Sequence, residues 1–374
     1  MSWPKVKLGD CCEIISGATP KTGNPDYWGG DIPWVSPKSL SKLESKYLDN
    51  PTEYITQAGF DSCSTRMLPA MSLLLSCRAP VGLTAINREP ICTNQGFKSL
   101  IPNPELLDIN YLFHVMRRMR PMLEAQGRGA TFTEVSKAIV ERFEIPLPPL
   151  DEQKRIATIL DKADGINKAA QNAEEKKNQL IRNTYLHLFG DPLDPSIDSV
   201  KLSDVATITM GQSPPGTSYN YTGDGIPLLN GPAEFGEVHP IEVQWTNIPK
   251  KLCVLDDILI CVRGATAGRM NVADKEYCIG RGLASIRPLN NGDISPEFII
   301  ETLHFYYDYF HEKGSGSTFI NINKEMLAGL KIPKTEISRI RMYTKLKKIL
   351  SIGNGSIVKN SHSLINSLSQ EMLT

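Results

Sequence analysis

The sequence predicts an α+β (mixed α/β) fold organised as a pseudo-two-fold internal repeat: two similar strand-rich domains separated by two long helices that form an antiparallel coiled coil. Three observations carry this expectation. The two halves of the 374-residue chain match each other at nearly constant offsets. Within each half, short segments rich in Ile, Leu and Val alternate with turns dense in Gly, Pro, Asn and Asp. Each half then ends in a long proline-free stretch with apolar residues three and four apart.

An offset of 194 carries Val6-Lys7-Leu8-Gly9-Asp10 onto Val200-Lys201-Leu202-Ser203-Asp204, and Gly17, Pro20 and Ile32-Pro33 onto Gly211, Pro214 and Ile226-Pro227. After a deletion the offset becomes 186, taking Cys92, Gly96 and Ser99 to Cys278, Gly282 and Ser285. At 187, Gly127, Gly129, Thr131-Phe132, Lys137 and Ile145-Pro146 fall on Gly314, Gly316, Thr318-Phe319, Lys324 and Ile332-Pro333. Between these anchors Leu73-Leu74-Leu75-Ser76-Cys77-Arg78 parallels Ile258-Leu259-Ile260-Cys261-Val262-Arg263, each a buried strand running into a glycine-containing turn. The unit is far longer than a solenoid repeat, so it is a duplicated domain with its appendage.

Helices are expected at 111–123 after Asn110 and at 297–309 after Ser295, with these two residues as N-cap candidates. From 151 to 189 a stripe of Ile156, Ile159, Ala163, Ile166, Ala170, Ala173, Leu180 and Thr184 predicts one face of a long helix. From about 337 to 373, Ile340, Tyr343, Leu346, Leu350, Ile357, Leu364 and Leu368 predict its counterpart, and the simplest partner for each stripe is the other. Gly165 in the first helix, and Gly353 and Gly355 in the second, predict a kink or break.

Composition excludes several classes. A chain 41% hydrophobic and 22% charged is neither disordered nor fibrous. The polar start and the lack of any run near 18 apolar residues predict a cytoplasmic protein without a membrane segment. Cys11, Cys12, Cys63, Cys77, Cys92, Cys253, Cys261 and Cys278 show no C-x-x-C spacing and no nearby histidine, so they read as reduced thiols and not as metal ligands. Net charge is zero, and 194–333 holds 11 basic against 17 acidic residues, so charge alone gives no support to a nucleic-acid partner.

No catalytic motif stands out. Asn24-Pro25-Asp26-Tyr27 is one residue from the N-P-P-Y motif of amino-methyltransferases, but Asp replaces the second proline and no G-x-G loop follows a strand to hold a methyl donor. Asp256-Asp257, the one adjacent acidic pair near a strand, reads as a turn cap before Ile258, and no Walker loop is present. Gly127-Arg128-Gly129-Ala130-Thr131-Phe132 and Gly314-Ser315-Gly316-Ser317-Thr318-Phe319 are loops able to set backbone N–H groups and hydroxyls against phosphates; the plainer reading is a tight connection whose Phe plugs the core. Arg117, Arg118 and Arg120 cluster on a helix, where a solvated face is the ordinary role.

Ile145-Pro146-Leu147-Pro148-Pro149-Leu150-Asp151-Glu152-Gln153-Lys154-Arg155-Ile156, running into a long helix, resembles a segment of the specificity subunit of Type I restriction-modification enzymes. Pro20 with Asn24-Pro25-Asp26-Tyr27-Trp28-Gly29-Gly30-Asp31-Ile32-Pro33-Trp34, and Ser76-Cys77-Arg78-Ala79-Pro80-Val81-Gly82, are similar to segments of that family's target-recognition domains. The second copy departs from the pattern, with Lys334-Thr335-Glu336-Ile337-Ser338-Arg339 in place of Pro-Pro-Leu-Asp-Glu-Gln.

The resemblance implies target-recognition domains at 1–147 and 196–333, a central helix at 148–190 and a C-terminal helix at 334–374. It implies a non-catalytic subunit in which each domain reads one half of a split double-stranded DNA target. It also implies that the helices act as spacer and dock two methyltransferase subunits, with restriction subunits completing the complex. The methyl donor, ATP and Mg would then be bound by partner subunits and no cofactor by this chain. Residues 152–189 at 1.5 Å per residue span about 57 Å, compatible with half-sites roughly 34 Å apart.

By residue type and repeat position, the DNA-contacting candidates are Lys21, Arg66, Arg78, Asn94, Gln95, Arg128 and Thr131 in the first half. In the second half they are Asn230, Arg263, Arg269, Arg281, Ser315, Ser317 and Thr318. Two rival readings are a duplicated protein-binding scaffold without DNA recognition and a degenerate stand-alone DNA methyltransferase.

Overall fold

The segments that match between the halves are the ones that close each domain. In a computed structural model of the chain, strand Lys5–Lys7 pairs antiparallel with Glu144–Pro146, setting Val6 opposite Ile145. Strand Ser199–Lys201 pairs in the same way with Lys331–Pro333, setting Val200 opposite Ile332. The structure describes residues 3–41, 43, 45–49, 51, 53–78, 80–126, 134–289, 294–313, 320–351, 367, 370, 372 and 373. The chain forms two compact units, Met1–Gln171 with Ser356–Thr374, and Asn172–Gly355.

In the first unit a five-stranded sheet runs in the order Cys12–Ser16, Lys98–Pro102, Leu73–Leu75, Thr84–Asn87, Tyr47–Leu48. Beside it lies a three-stranded sheet of Glu53–Ile55, Trp28–Val35 and Cys92–Thr93. The second unit holds a four-stranded sheet (Ala206–Met210, Leu283–Pro288, Ile258–Cys261, Met270–Val272) and a five-stranded one (Tyr219–Asn220, Trp245–Thr246, Ile226–Leu229, Tyr277–Ile279, Leu252–Cys253).

The unbroken apolar runs Leu73–Leu75 and Ile258–Cys261 follow from burial on both faces, since successive side chains point to opposite sides of a strand. Leu73 and Leu75 join the core that packs under helix Ile109–Arg118, and Leu74 joins a separate core with Val35, Leu68 and Phe97. Ile258 and Ile260 likewise face the core of helix Pro296–Lys313, and Leu259 and Cys261 face the other side.

The helix expected after Asn110 starts two residues earlier, because the Asp108 carboxylate accepts from the Asn110 and Tyr111 backbone N–H groups and is the cap. It ends at Arg118, and Arg120–Gln126 is a separate helix. Ser295 behaves as expected, its hydroxyl accepting from Phe298 N–H at 3.3 Å.

Leu150–Phe189 is one helix of 40 residues, about 60 Å long, and it passes through Gly165 without a break. Nothing lies near the position a Gly165 Cβ would take, so the glycine weakens the helix without bending it around a neighbour. The expected stripe is only partly buried. Ile156 joins the first domain's core along with Ala157 and Leu160, and Ala163 is buried, while Ile159 and Ala170 are half-buried. Ile166 (58%) and Leu180 (51%) are exposed, as is Ala173. Burial resumes only at Ile181, Tyr185 and Phe189, which enter the second domain's core. The physical reason is that each end of the helix spends its apolar face on the globular core of its own unit.

The second long helix is observed as Ile337–Ser351. Its Tyr343 is buried and Leu350 packs on the same core, while half-buried Leu346 lines an apolar groove with Leu188 and Met342. Ile357, Leu364 and Leu368, with Gly353 and Gly355, lie outside the described residues.

All eight cysteines are free, seven of them buried. Burial pushes the thiols of Cys77 and Cys253 up to about 12 and that of Cys92 up to about 11, as expected of packing groups held as neutral thiols. Among the described residues no helix is long and apolar enough to cross a membrane, and no group of three or more His, Cys, Asp or Glu could hold a metal ion.

Candidate nucleic-acid interface

The strand ends of each domain bring separate loops together by backbone hydrogen bonds, and the two domains do this in the same way. In the first, Ala18 N–H donates to Thr93 O (2.9 Å), Asn94 N–H to Val35 O (3.0 Å), Cys77 N–H to Gly96 O (2.7 Å) and Val135 N–H to Cys77 O (2.9 Å). In the second, Gln212 N–H donates to Ile279 O (2.9 Å), Gly280 N–H to Leu229 O (2.7 Å), Val262 N–H to Gly282 O (2.9 Å) and Ile322 N–H to Val262 O (2.8 Å). Bridges Arg78–Glu134 and Arg263–Asn321 repeat the correspondence. Gly17 and Gly211 are required by it: a Cβ on either would run into the backbone carbonyl of Asn94 or Gly280, which crosses directly over the chain.

Around this frame the first domain gathers Arg78, Asn94 and Gln95, while the Lys21 carbonyl accepts from Asn24 N–H in the turn that follows Thr19. Asn94 Oδ1 accepts from Gly96 N–H (2.8 Å), which fixes the loop, and Thr19 Oγ1 bonds the Gln95 side-chain carbonyl. Arg66 is not part of the group. It forms an exposed ion pair with Glu13 on strand Cys12–Ser16, 3.0 Å between Nη1 and Oε1.

The second domain gathers all four of its described candidates. Asn230 follows strand Ile226–Leu229, Arg263 follows Ile258–Cys261, Arg281 N–H donates to Ser213 Oγ (3.2 Å), and Arg269 Nη1 reaches Pro232 O (3.5 Å). Lys21, Arg263 and Arg281 extend exposed side chains that have no ion pair among the described residues. Arg128, Thr131, Ser315, Ser317 and Thr318 lie outside the described residues.

Asn24-Pro25-Asp26-Tyr27 is a turn. Asn24 Oδ1 accepts from Asp26 N–H (3.2 Å) and caps the short helix Pro25–Tyr27, so the asparagine is spent on its own backbone. Asp257, 1% exposed, accepts from Val254 N–H (3.0 Å), as expected of a turn cap, and also holds Arg287 through two bonds of 2.7 and 2.9 Å. That bidentate pair occupies the carboxylate structurally.

The residues which sequence reading missed are Gln244 and Tyr221. Asn230 Nδ2 donates to Gln244 Oε1 (2.9 Å) and Gln244 Nε2 donates to the Tyr221 hydroxyl (2.8 Å), extending the group outward from the loops. The offset of 194 sets Tyr221 on Tyr27, but the strand register sets Tyr219 in the place of Trp28, so the turn that carries Tyr221 is longer than its counterpart and the spacing of the repeat does not mark its role.

An assembly of cationic and amide side chains on spliced strand-end loops, repeated twice, suits contact with a polyanion whose edges carry donors and acceptors. Comparison with known proteins agrees. Residues 2–180 and 196–335 match the family described as Type I restriction modification DNA specificity domain.

The MjaIX specificity subunit of Methanocaldococcus jannaschii is 32% identical over 246 residues, covering 61% of this chain and 57% of the relative. The putative MjaX specificity subunit of the same organism is 28% identical over 373 residues, 93% and 86% of the two chains. A chain from a structural study of complex assembly and conformational transition of the type I R-M system is 25% identical, with TM-score 0.59 over 99% of this chain and 97% of that one. The Type I restriction-modification S subunit from M. genitalium shares the fold, with TM-score 0.63 over 100% of this chain and 96% of that one, at 14% identity. The chain belongs to the Type I restriction-modification DNA specificity family, whose members are recognition subunits and not enzymes.

Proposed function

We propose that the chain reads a bipartite double-stranded DNA target, with residues 1–147 recognising one half-site and 196–333 the other. The helical segments 148–190 and 334–374 set the spacing between half-sites and dock two methyltransferase subunits, to which restriction subunits are added. Methyl donor, ATP and Mg belong to those partners, and the complex works in the cytoplasm.

The observation that supports this most directly is the twofold repetition of the strand-end frame, in which Arg78, Asn94 and Gln95 are answered by Arg263, Gly280 and Arg281, with Asn230 added in the second copy where the first has Ser36. Two copies of one frame with different side chains are what a reader of two different half-sites needs. Cationic contacts to phosphate give affinity and register, and amide or guanidinium contacts to base edges give sequence. The chain's zero net charge leaves little long-range steering, so binding depends on these local contacts and weakens steeply with salt.

The test is a domain replacement. With residues 196–333 exchanged for the corresponding region of a relative and the chain assembled with its methyltransferase, the mapped methylation target is expected to change in one half alone. Change in both halves, or in neither, refutes the reading.

A further inference from the structure

Strand Trp245–Thr246 lies beside Ile226–Leu229 in a register that sets Trp245 opposite Pro227, and Leu228 N–H donates to Gln244 O at 2.8 Å. In the first domain, strand Glu53–Ile55 lies beside Trp28–Val35 with Tyr54 opposite Pro33 and Glu53 opposite Trp34. The offset of 194 makes Pro33 and Pro227, and Trp34 and Leu228, equivalent, so Glu53 and Gln244 hold the same position at the same end of the same sheet. That end carries the loops of Asn94 and Asn230.

The surroundings of the two differ. Gln244 is fixed from both sides by Asn230 and Tyr221. Tyr221 is 73% exposed, so packing does not account for it. Yet its turn is locked: Asn220 Oδ1 accepts from Thr222 N–H (3.2 Å) and Asp224 N–H (3.1 Å), and Asn220 Nδ2 donates to Asp224 O (2.8 Å). Gly223 and Gly225 take the positive φ values of 85° and 92° which the turn demands. In the first domain the corresponding turn is the short Gly29-Gly30. The Glu53 side chain there is exposed, with no hydrogen bond or ion pair among the described residues.

We propose that position 53/244 is a base-reading position in each domain, with the Tyr221 hydroxyl, polarised by the Asn230–Gln244 chain, reading one base of the second half-site and the Glu53 carboxylate reading one base of the first. The inference rests on the DNA-recognition reading above. Because Tyr221 accepts from Gln244 Nε2, its own O–H proton points away from the relay and donates outward. It therefore selects a base edge that offers an acceptor in the major groove: purine N7, guanine O6 or thymine O4. Glu53 can only accept, so it selects an exocyclic amine, cytosine N4 or adenine N6.

The polarity makes the proposal testable. In Gln244→Glu the carboxylate still accepts from Asn230 but offers Tyr221 no donor, so the tyrosine must donate inward and present a lone pair outward. The selected base edge then inverts from acceptor to amine.

The experiment selects duplexes from a randomised library with the full chain assembled with its methyltransferase subunits, at one fixed salt concentration. Tyr221→Phe is expected to lose about 5- to 150-fold discrimination at a single base pair of the second half-site. Gln244→Glu should shift preference at that same base pair, and Glu53→Gln at one base pair of the first half-site alone. Thermal melting confirms that these variants fold. Unchanged preferences in folded variants overturn the proposal while leaving the recognition reading intact. If the wild-type assembly selects no sequence at all, the recognition reading itself falls.

Discussion

In the first domain the helix Ile109–Arg118 presents nitrogen groups to the carboxylates of the long helix: His114 Nε2 lies 2.9 Å from Asp161 Oδ1 and the Arg117 guanidinium 2.5 Å from Asp164 Oδ2, with the Lys46 ammonium adding a 2.5 Å contact to Asp161 Oδ2. In the second domain the equivalent helix, aligned through the caps Asp108 and Ser295, presents an anion. Glu301 stands where His114 stands, accepts from the Tyr343 hydroxyl (3.1 Å) and pairs with Lys347 of helix Ile337–Ser351, while Glu297 faces Lys348 at 3.9 Å. One architecture thus uses opposite polarity at one contact.

The difference extends to the apolar neighbours. Gln153 of the first domain, fully buried, accepts from Asp108 N–H and donates to the carbonyls of Leu106 and Pro148, all at 2.8 Å. Its counterpart 187 residues later is Ile340, which simply packs in a core where Tyr185, Phe189, Phe298, Phe305 and Tyr343 stack on one another. Duplicated modules whose helices are alike in shape would otherwise compete for the same grooves. Reversed charge disfavours the exchange, since at the offset of 187 Lys348 would take the place of Asp161 and meet Lys46.

The sharpest way to break this comparison is to impose the first domain's polarity on half of the second domain's pair. Glu301→Lys puts a cation against Lys347 in a site where Glu301 is nearly buried. It is expected to cost about 3 kcal/mol, the low end for disrupting a buried pair. Adding Lys347→Glu should restore most of that loss in a double-mutant cycle followed by urea denaturation. If the double variant is as unstable as the single one, charge is not what the position encodes.

A smaller loss is expected from Gln153→Leu, which gives the first domain the apolar residue type of the second. The Asp108 N–H and Pro148 carbonyl lose their partner, but Leu106 is 44% exposed and its carbonyl turns to water. The expected cost is about 2 kcal/mol, the price of leaving a buried polar group unsatisfied. Ile340→Leu, a change of shape alone, should cost well under that. Equal losses at the two positions would show that polarity does not distinguish them.

Much of this architecture was legible in the sequence, for identifiable reasons. Duplication leaves matched glycines and prolines wherever backbone geometry allows nothing else, and Gly17, Gly211 and the Ile-Pro pairs are such places. Asn94, Arg78, Asn230 and Arg263 stand out by residue type and by their place beside those anchors, and the strand-end hydrogen bonds show which loops meet there.

What escaped depends on contacts between distant parts of the chain. The partner of Arg66 is Glu13, 53 residues away, and no local pattern marks it. Periodicity does not say which surface covers a stripe, so exposed Ile166 and Leu180 share one spacing with buried Ile156. Gln244 was invisible because its role comes from Asn230 and Tyr221, 14 and 23 positions away.

The smallest expected effect concerns acid. Partial burial pushes the Asp161 carboxyl up, but hydrogen bonds and charge from His114 and Lys46 outweigh burial and hold it below its ordinary range. A carboxyl whose folded pKa lies below its unfolded value near ~3.9 contributes its full stabilisation above that value and loses it as pH falls through the folded one. Asp161 is 37% exposed, so solvent screens much of the interaction and the contribution is modest. Asp161→Asn should therefore be less stable than wild type at pH 7, by a margin that narrows as the pH is lowered below about 4. Urea titrations at pH 7 and pH 3, followed through the fluorescence of buried Trp34 in the same domain, measure that margin. A margin that is constant or widens in acid would mean that the ionised carboxylate is not what holds His114 and Lys46, and the charge contrast between the two domains would then rest on the Arg117–Asp164 and Glu301–Lys347 pairs.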